Sequence, residues 1–372
     1  MRTWFQGVTL SLILFFFIPS PCAEPQEEGR LVFNAYPCPK TLTLCGERLP
    51  LENPDVFEML DREFTVMVWD HARVFMLLKR GARYFPVIEK ALCDAGMPDD
   101  LKYLAVAESS LIPYARSGSG ALGHWQFIPE TGQSKGLRKD HTVDERMALE
   151  RSTEAAIVYL RQLKQAFGSW TLAMAAYNCG ETRLGKEIRE QKVADYYRLN
   201  LPRETERYIF RIAAIKLILE NPRRYGYILP EDHLYKPLKF DTVTVSIGSP
   251  VHITDLAQAI GTDFKVIKEL NPELLGYHLP TGRYSIKVPA GSGRNALAAL
   301  ARLNHGDPAA APSANSNPAP ANHSSQGFYK VQPGDTLIRI SNVTGVPVER
   351  LKALNGIQES HITVGQKLKL AP

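Results

Sequence analysis

The chain has 372 residues, 44% hydrophobic and 22% charged. That balance excludes a wholly disordered, collagen-like or polytopic membrane protein and leaves room for about two or three domains. Lys and Arg number 44 against 39 Asp and Glu, a net +5; a dedicated nucleic-acid binder shows a denser basic patch, so no nucleic-acid partner is expected.

Arg2 precedes an apolar run from Val8 to Ile18, closed by Pro19, Ser20, Pro21, Cys22 and Ala23. The run is shorter than the ~20 residues that span a bilayer. Residues 1–23 therefore read as a secretory signal, with no transmembrane segment expected in the mature chain. Ser20-Pro21 is a poor approach to a lipidated Cys22, so cleavage near Ala23 is the expected outcome. Export to the cell envelope permits disulfides. Cys38 and Cys45 lie close enough in sequence to pair, whereas Cys93 and Cys179 read as small buried thiols in helical surroundings. No Cys-x-x-Cys spacing exists, and no metal or cofactor is implied.

Residues 24–97 form a helical extension: Val56, Leu60, Phe64 and Val68 recur at i, i+4, and Leu77-Leu78 and Val87-Ile88 continue the apolar rows. Pro98 suits the first position of a new helix, with Asp99 and Asp100 at its positive end. Further helices are expected over Ser152–Ala166, Thr171–Tyr177 and Arg203–Leu219, making 98–225 all-helical. Over 240–289 the pattern changes. Val243, Val245 and Ile247 alternate like a strand, and Leu256 to Leu270 is helical. Residues 291–327 are Ala, Ser, Asn, Pro and Gly with few large apolar side chains, which reads as a flexible linker. Order resumes at 328–370. An internal repeat links the two small segments at an offset of 84 residues: Leu256, Gly261, Ile267, Leu270 and Asn271 match Ile340, Gly345, Leu351, Leu354 and Asn355. Both read as strand–helix–helix–strand modules.

Three stretches carry chemistry: Glu108-Ser109 after an apolar helix, Gly123-His124-Trp125-Gln126, and Ala176-Tyr177-Asn178. Singly each has a plain structural reading, as a solvated Glu, core aromatics or a loop. Leu104 to Ala107 precede Glu108 and can desolvate its carboxyl, raising its pKa toward that of a general acid. No obvious second carboxylate accompanies it. Glu130 and Glu181 lie beside the other motifs, where a surface role explains them equally.

In this order and spacing the three stretches resemble the lytic transglycosylases of the soluble-lytic-transglycosylase family. The flanking segments resemble its membrane-bound D branch. His124 stands where that family usually has Leu, and Cys179 where it usually has Ala. The resemblance implies a mainly α chain, with a lysozyme-like helical domain at 98–225, followed by small βααβ modules. It implies a bacterial envelope enzyme acting on peptidoglycan glycan strands. Glu108 would act as acid and then as base, closing a 1,6-anhydro ring with the sugar's own hydroxyl, so that proximity replaces a positioned water. Ser117, Gln126, Tyr177, Asn178 and Tyr208 would line the cleft; Asn178 has an equally good reading as a tie between helices.

Residues 328–370 resemble a LysM domain, through Val331-Gln332-Pro333-Gly334-Asp335-Thr336-Leu337, Leu351-Lys352-Ala353-Leu354-Asn355 and Val364-Gly365-Gln366-Lys367-Leu368. That resemblance points to Asp335, Thr336, Leu337, Asn355 and Ile357 as glycan contacts, though capping and packing can explain several of them. The 240–289 copy has Pro250-Val251-His252 where Gly334-Asp335-Thr336 stand and reads as a degenerate module. Two other functions fit the same chain: a hydrolysing muramidase or chitinase, and a catalytically idle peptidoglycan-binding scaffold. The charge surplus sits in 98–225, with 20 basic and 16 acidic residues, and in 328–370, with 6 and 3. Weak attraction to an anionic polymer fits that distribution.

Overall fold

The computed structural model describes residues 35–304, 328–331, 335–344, 346–357 and 362–370. The signal expected at 1–23 lies outside them, as does most of the linker. Two units divide the chain between Pro308 and Ala309.

The first unit opens with a small hairpin, β1 (Thr43–Leu44) and β2 (Glu47–Arg48), ahead of the expected helices. Helix α1 (Pro54–Trp69) starts where the Asn53 side chain accepts a bond from the Asp55 amide, and it buries Val56, Leu60, Phe64 and Met67 on one stripe. Asp70 ends α1, and its carboxylate caps α2 (His71–Asp94) by accepting from the Arg73 amide at 3.1 Å. A turn at Asp99–Leu101 leads into α3 (Lys102–Ser109). A loop containing α4 (Pro129–Ser134) follows, then α5 (Leu149–Phe167), α6 (Trp170–Cys179), α7 (Glu181–Gln191) and α8 (Arg203–Glu220).

Helix α6 lies deepest. Thr171 to Ala176 are all buried, and its run of small residues lets α5 and α8 approach from both sides. Its first amides need acceptors once buried. Ser169 takes the Leu172 amide, and the Glu47 carboxylate takes those of Trp170 and Thr171 at 2.7–3.1 Å. The hairpin thus plugs the start of the central helix. None of the described helices is long and apolar enough to cross a membrane.

The 240–304 segment has the expected strand–helix–helix–strand order. It comprises β3 (Phe240–Ile247), β4 (Val251–His252), α9 (Ile253–Ala259), α10 (Phe264–Leu270), β5 (His278–Leu279) and β6 (Gly282–Pro289). Strands β3 and β6 pair antiparallel with Val245 opposite Tyr284. The linker expected from residue 291 is corrected at its start: Gly293–Asn304 is a helix, α11. Its Ala296, Ala299 and Leu300 are buried at i, i+3, i+4 spacing in the module core. Small side chains suffice there because the helix lies close over β3 and α9. Asp241 caps its start by accepting from the Gly291 and Gly293 amides at 2.9 Å.

This module is joined to the helical body. Val143 pairs as an isolated bridge with Leu274, flanked by bonds from the Asp144 amide to the Glu273 carbonyl (2.9 Å) and from the Leu275 amide to the Thr142 carbonyl (2.8 Å). The Val143 side chain lies in the module's own core, and Lys287 forms an ion pair with Glu150.

In the second unit, β7 (Phe328–Lys330) pairs with β8 (Lys367–Lys369), with α12 (Leu337–Thr344) and α13 (Val348–Asn355) between them. The repeat is visible in a shared staple. Asn355 donates to the Leu351 and Lys369 carbonyls and accepts from the Lys369 amide. Asn271 does the same with Ile267 and Lys287. Each asparagine locks the end of the second helix to the closing strand.

The cysteines differ from expectation. Cys38 and Cys45 are buried and unpaired, with burial pushing both thiols up, and Cys93 is exposed rather than buried. Cys93 lies on the solvent side of α2, whose buried row runs through Ile88 and Leu92.

Candidate active site

Glu108 stands in the last turn of α3, which Ser110 ends in the left-handed conformation at φ +51°. Its neighbour Ser109 is buried. The Ser109 hydroxyl lies 2.8 Å from the His124 carbonyl and 3.0 Å from that of Ala105, and it accepts from the Leu111 amide. The Glu-Ser pair thus has divided duties: Ser109 ties the helix end to the following loop, leaving the Glu108 carboxyl half-buried.

Burial is the largest influence on Glu108, pushing its pKa up from 4.5 to about 7. The Tyr208 hydroxyl donates to its carboxylate and opposes the rise, Glu204 adds to it, and Arg211 lowers it. A carboxyl shifted toward neutrality can hold a proton there, as a general acid requires. Tyr208 is buried on α8 at 1% exposure. The resemblance implied a tyrosine facing substrate; here it lies beneath the carboxyl and orients it. A Tyr208→Phe substitution removes a bond to the charged form, so the alkaline limb of the pH–rate profile should move to higher pH. A profile of kcat/KM against pH checks this.

The loop from Leu111 to Ile128 folds onto this end of α3. Gly123 takes φ +83°, and a Cβ there would lie 2.0 Å from the Arg146 carbonyl oxygen. Only glycine fits. Arg146 is buried with Asp144; its Nε and Nη2 donate to that carboxylate, while Nη1 donates to the Gly120 and Phe127 carbonyls at 2.9 Å. Trp125 is fully buried, donating to the Thr153 hydroxyl at 2.9 Å.

Most of the expected sugar contacts turn inward. Gln126, at φ +48°, spends both amide hydrogens on the Ala115 and Gly123 carbonyls. The Ser117 hydroxyl accepts from the Ala121 amide and pairs with Ser119. The Tyr177 hydroxyl donates to the Trp125 carbonyl at 2.7 Å, and burial together with the Glu108 charge pushes its pKa well up. Asn178 accepts from the Thr205 hydroxyl at 2.8 Å, which ties α6 to α8. Glu108, Tyr177 and Tyr208 form one cluster, with Gln126 and Ser117 holding the loop beside it.

One residue escaped the sequence. Glu204 is exposed on the first turn of α8, four residues before Tyr208, and so shares its face. Its charge reaches Glu108, whereas Glu130 and Glu181 are not among the charges that shift it. The i, i+4 spacing to Tyr208 was the available signal. His124, in the position where Leu was expected, behaves as an apolar ring. It is buried edge-on to Tyr84 at 4.7 Å, and burial pulls its pKa down to about 4, so it is neutral. Cys179 lines a groove of about 630 Å³ with Arg183, Lys186 and Arg189, next to the Tyr159–Tyr177 pair.

In the second unit, Leu337 is core and Ile357 packs against it. Asn355 is the staple described above, Asp335 accepts from the Tyr329 hydroxyl at 2.9 Å, and Thr336 is exposed.

Residues 85–200 match the transglycosylase SLT domain family and residues 329–371 the LysM domain family. The first match holds Glu108, Ser117, Gln126, Tyr177 and Asn178 and stops before α8. Over 283 residues the chain is 34% identical to the membrane-bound lytic murein transglycosylase D of Escherichia coli, covering 74% of this chain and 60% of that one. It thus spans 60% of that relative's length. It is 38% identical over 105 residues to the peptidoglycan transglycosylase of Escherichia phage T7, covering 27% and 8% of the two chains. Among solved structures, the lytic transglycosylase Slt of Pseudomonas aeruginosa aligns at 20% identity and TM-score 0.30, over 41% of this chain and 26% of that one.

Proposed function

We propose that this chain, which matches the transglycosylase SLT domain family over 85–200 and the LysM domain family over 329–371, is a lytic transglycosylase that cleaves peptidoglycan glycan strands without water. The scissile bond is the β-1,4 link from N-acetylmuramic acid to N-acetylglucosamine. The observation that carries this reading is Glu108: a half-buried carboxyl with its pKa near 7, oriented by the Tyr208 hydroxyl.

Protonated Glu108 donates its proton to the glycosidic oxygen as the bond to C1 breaks. The resulting carboxylate, still held by Tyr208, takes the proton of the sugar's C6 hydroxyl, whose oxygen closes on C1 to form the 1,6-anhydro ring. Glu108 ends protonated, so the cycle balances with one carboxyl. A pKa near neutrality suits a group that must give a proton and then accept one. The C-terminal LysM domain would keep the enzyme on its polymer by raising the local concentration of strand. The setting is the bacterial periplasm or envelope.

Glu204 supports a second reading, hydrolysis, because a carboxylate whose charge reaches the acid could activate water in an inverting reaction. Product mass separates the two. Muropeptides released from purified sacculi should be one water lighter than hydrolysis products. Reducing ends without the anhydro form would overturn the transglycosylase reading. Release of nothing, with sacculus binding intact, would mark a scaffold.

A further inference from the structure

A cavity of about 350 Å³ lies where the helical body meets the 240–304 segment. Helix α2 gives it Arg83, Tyr84 and Val87, the loop after α3 gives it Tyr114, and the later segment closes it with Phe240 and Leu270. Glu108, Gln126, Tyr177 and Tyr208 are not among its lining residues, so it is separate from the carboxyl cluster. Its size and its mostly aromatic and aliphatic wall are those of a small-molecule pocket.

His124 stands in this wall. The residue is 1% exposed, and among the described residues neither Nδ1 nor Nε2 has a hydrogen-bond partner. Burial and the Lys287 charge hold the ring neutral, so it presents one N–H donor and one acceptor nitrogen. A leucine, usual at this position in the family the motif resembles, would pack here without two buried polar atoms. Buried polar atoms that the protein leaves unanswered point to a partner from outside the chain. An amide matches both at once, with a carbonyl for the donor and an N–H for the acceptor.

The charges identify the other end of that partner. Arg83, Lys287, Glu150 and Glu269 line the cavity. Lys287 pairs with Glu150, and Glu269 pairs with Lys265 at 3.6 Å. Arg83 is left over. Its Nε donates to the Lys236 carbonyl at 3.1 Å and its guanidinium lies 5.0 Å from the centre of the Tyr235 ring, but among the described residues no carboxylate pairs with it. A guanidinium steadied in this way is suited to a carboxylate.

We propose that this cavity binds a small apolar carboxylate bearing an amide, the chemistry of an N-acylated apolar amino acid or an apolar peptide C-terminus. Its carboxylate meets Arg83, its amide meets His124, and its hydrocarbon side chain packs on Tyr84, Val87, Phe240 and Leu270. The His124 carbonyl also lies 2.8 Å from the Ser109 hydroxyl, so an occupant bears on the loop beside Glu108.

Calorimetric titration of the full chain with N-acetylleucine tests the site, and saturation of one site is expected. Arg83→Met and His124→Leu should each weaken binding by about 10-fold, as should replacing the probe by N-acetylleucinamide, which lacks the carboxylate. The urea midpoint of His124→Leu should equal or exceed that of wild type, because two unanswered polar atoms are removed. The amide probe needs no variant and stays informative if either variant fails to fold. N-acetylalanylleucine separates the two sources: binding as tight as N-acetylleucine or tighter assigns a peptide C-terminus, and weaker binding assigns a free acylamino acid. No saturable binding of either acid at millimolar concentration would overturn the proposal. Equal binding of N-acetylleucine and its amide would do the same. Glu108→Gln should leave the affinity unchanged; loss of binding there would place the probe at the carboxyl cluster and remove this site.

Discussion

Glu108→Gln should lower glycan cleavage by about 10²–10⁴-fold, because the mechanism proposed above uses its carboxyl as both acid and base. The same substitution should leave a folded protein that is more stable than wild type at alkaline pH. Burial raises the Glu108 pKa from 4.5 to about 7, so folding takes up a proton between those values. The stability that the protonated group supplies is complete below about 4.5 and is lost as pH rises through about 7. Glutamine carries no charge to desolvate. At pH 8 it should gain ~1–3 kcal/mol over wild type, an upper range given that the carboxyl is only half-buried, and nothing at pH ~4. Urea midpoints at the two pH values, beside muropeptide release, check both halves. Cleavage at the wild-type rate would assign the acid to another residue.

Arg146→Ala should destabilise the first unit by ~3–5 kcal/mol, since Asp144 would stay buried with its charge uncompensated. The Asp144 and Arg146 side chains are 6% and 4% exposed. The Gly120 and Phe127 carbonyls would also lose their donor. These two carbonyls bracket Gly123 and Gln126, so the loop beside Glu108 should loosen and activity fall before global unfolding. Urea titration and a proteolysis time course, scored for cuts between residues 111 and 128, measure the two effects. An Arg146→Met, Asp144→Leu double variant should recover part of the stability, because no orphan charge remains.

The helices and the desolvation of Glu108 were legible because each leaves a local trace. The i, i+4 row of α1 and the apolar run before Glu108 lie within one turn or two of the feature they specify, whereas Pro98, expected at the first position of a helix, caps the turn at Asp99–Leu101 and α3 begins only at Lys102. The direction of a polar side chain leaves no such trace. Gln126 and Tyr177 have the residue types of sugar contacts, yet their donors go to the Ala115, Gly123 and Trp125 carbonyls, because a tight loop at positive φ has buried acceptors to satisfy. Tyr208 was read as a wall of the cleft; its position under Glu108 depends on how α8 crosses α3. Helix α11 was missed because Ala296 and Ala299 resemble linker residues until a surface lies against them. The Val143–Leu274 bridge joins residues 131 positions apart through one backbone pairing, with no periodicity to betray it.

That bridge bears on where the catalytic unit can be cut. A fragment ending at residue 225, where the helical pattern stops, would leave Val143 without its apolar surroundings and the Asp144 amide and Thr142 carbonyl without their partners. Glu150 would lose Lys287. A fragment ending at residue 304 keeps all of these contacts and the α11 cap. The two repeat copies, alike in topology and in their asparagine staple, therefore differ in severability: the later copy belongs to a separate unit, and the earlier one is built into the helical body.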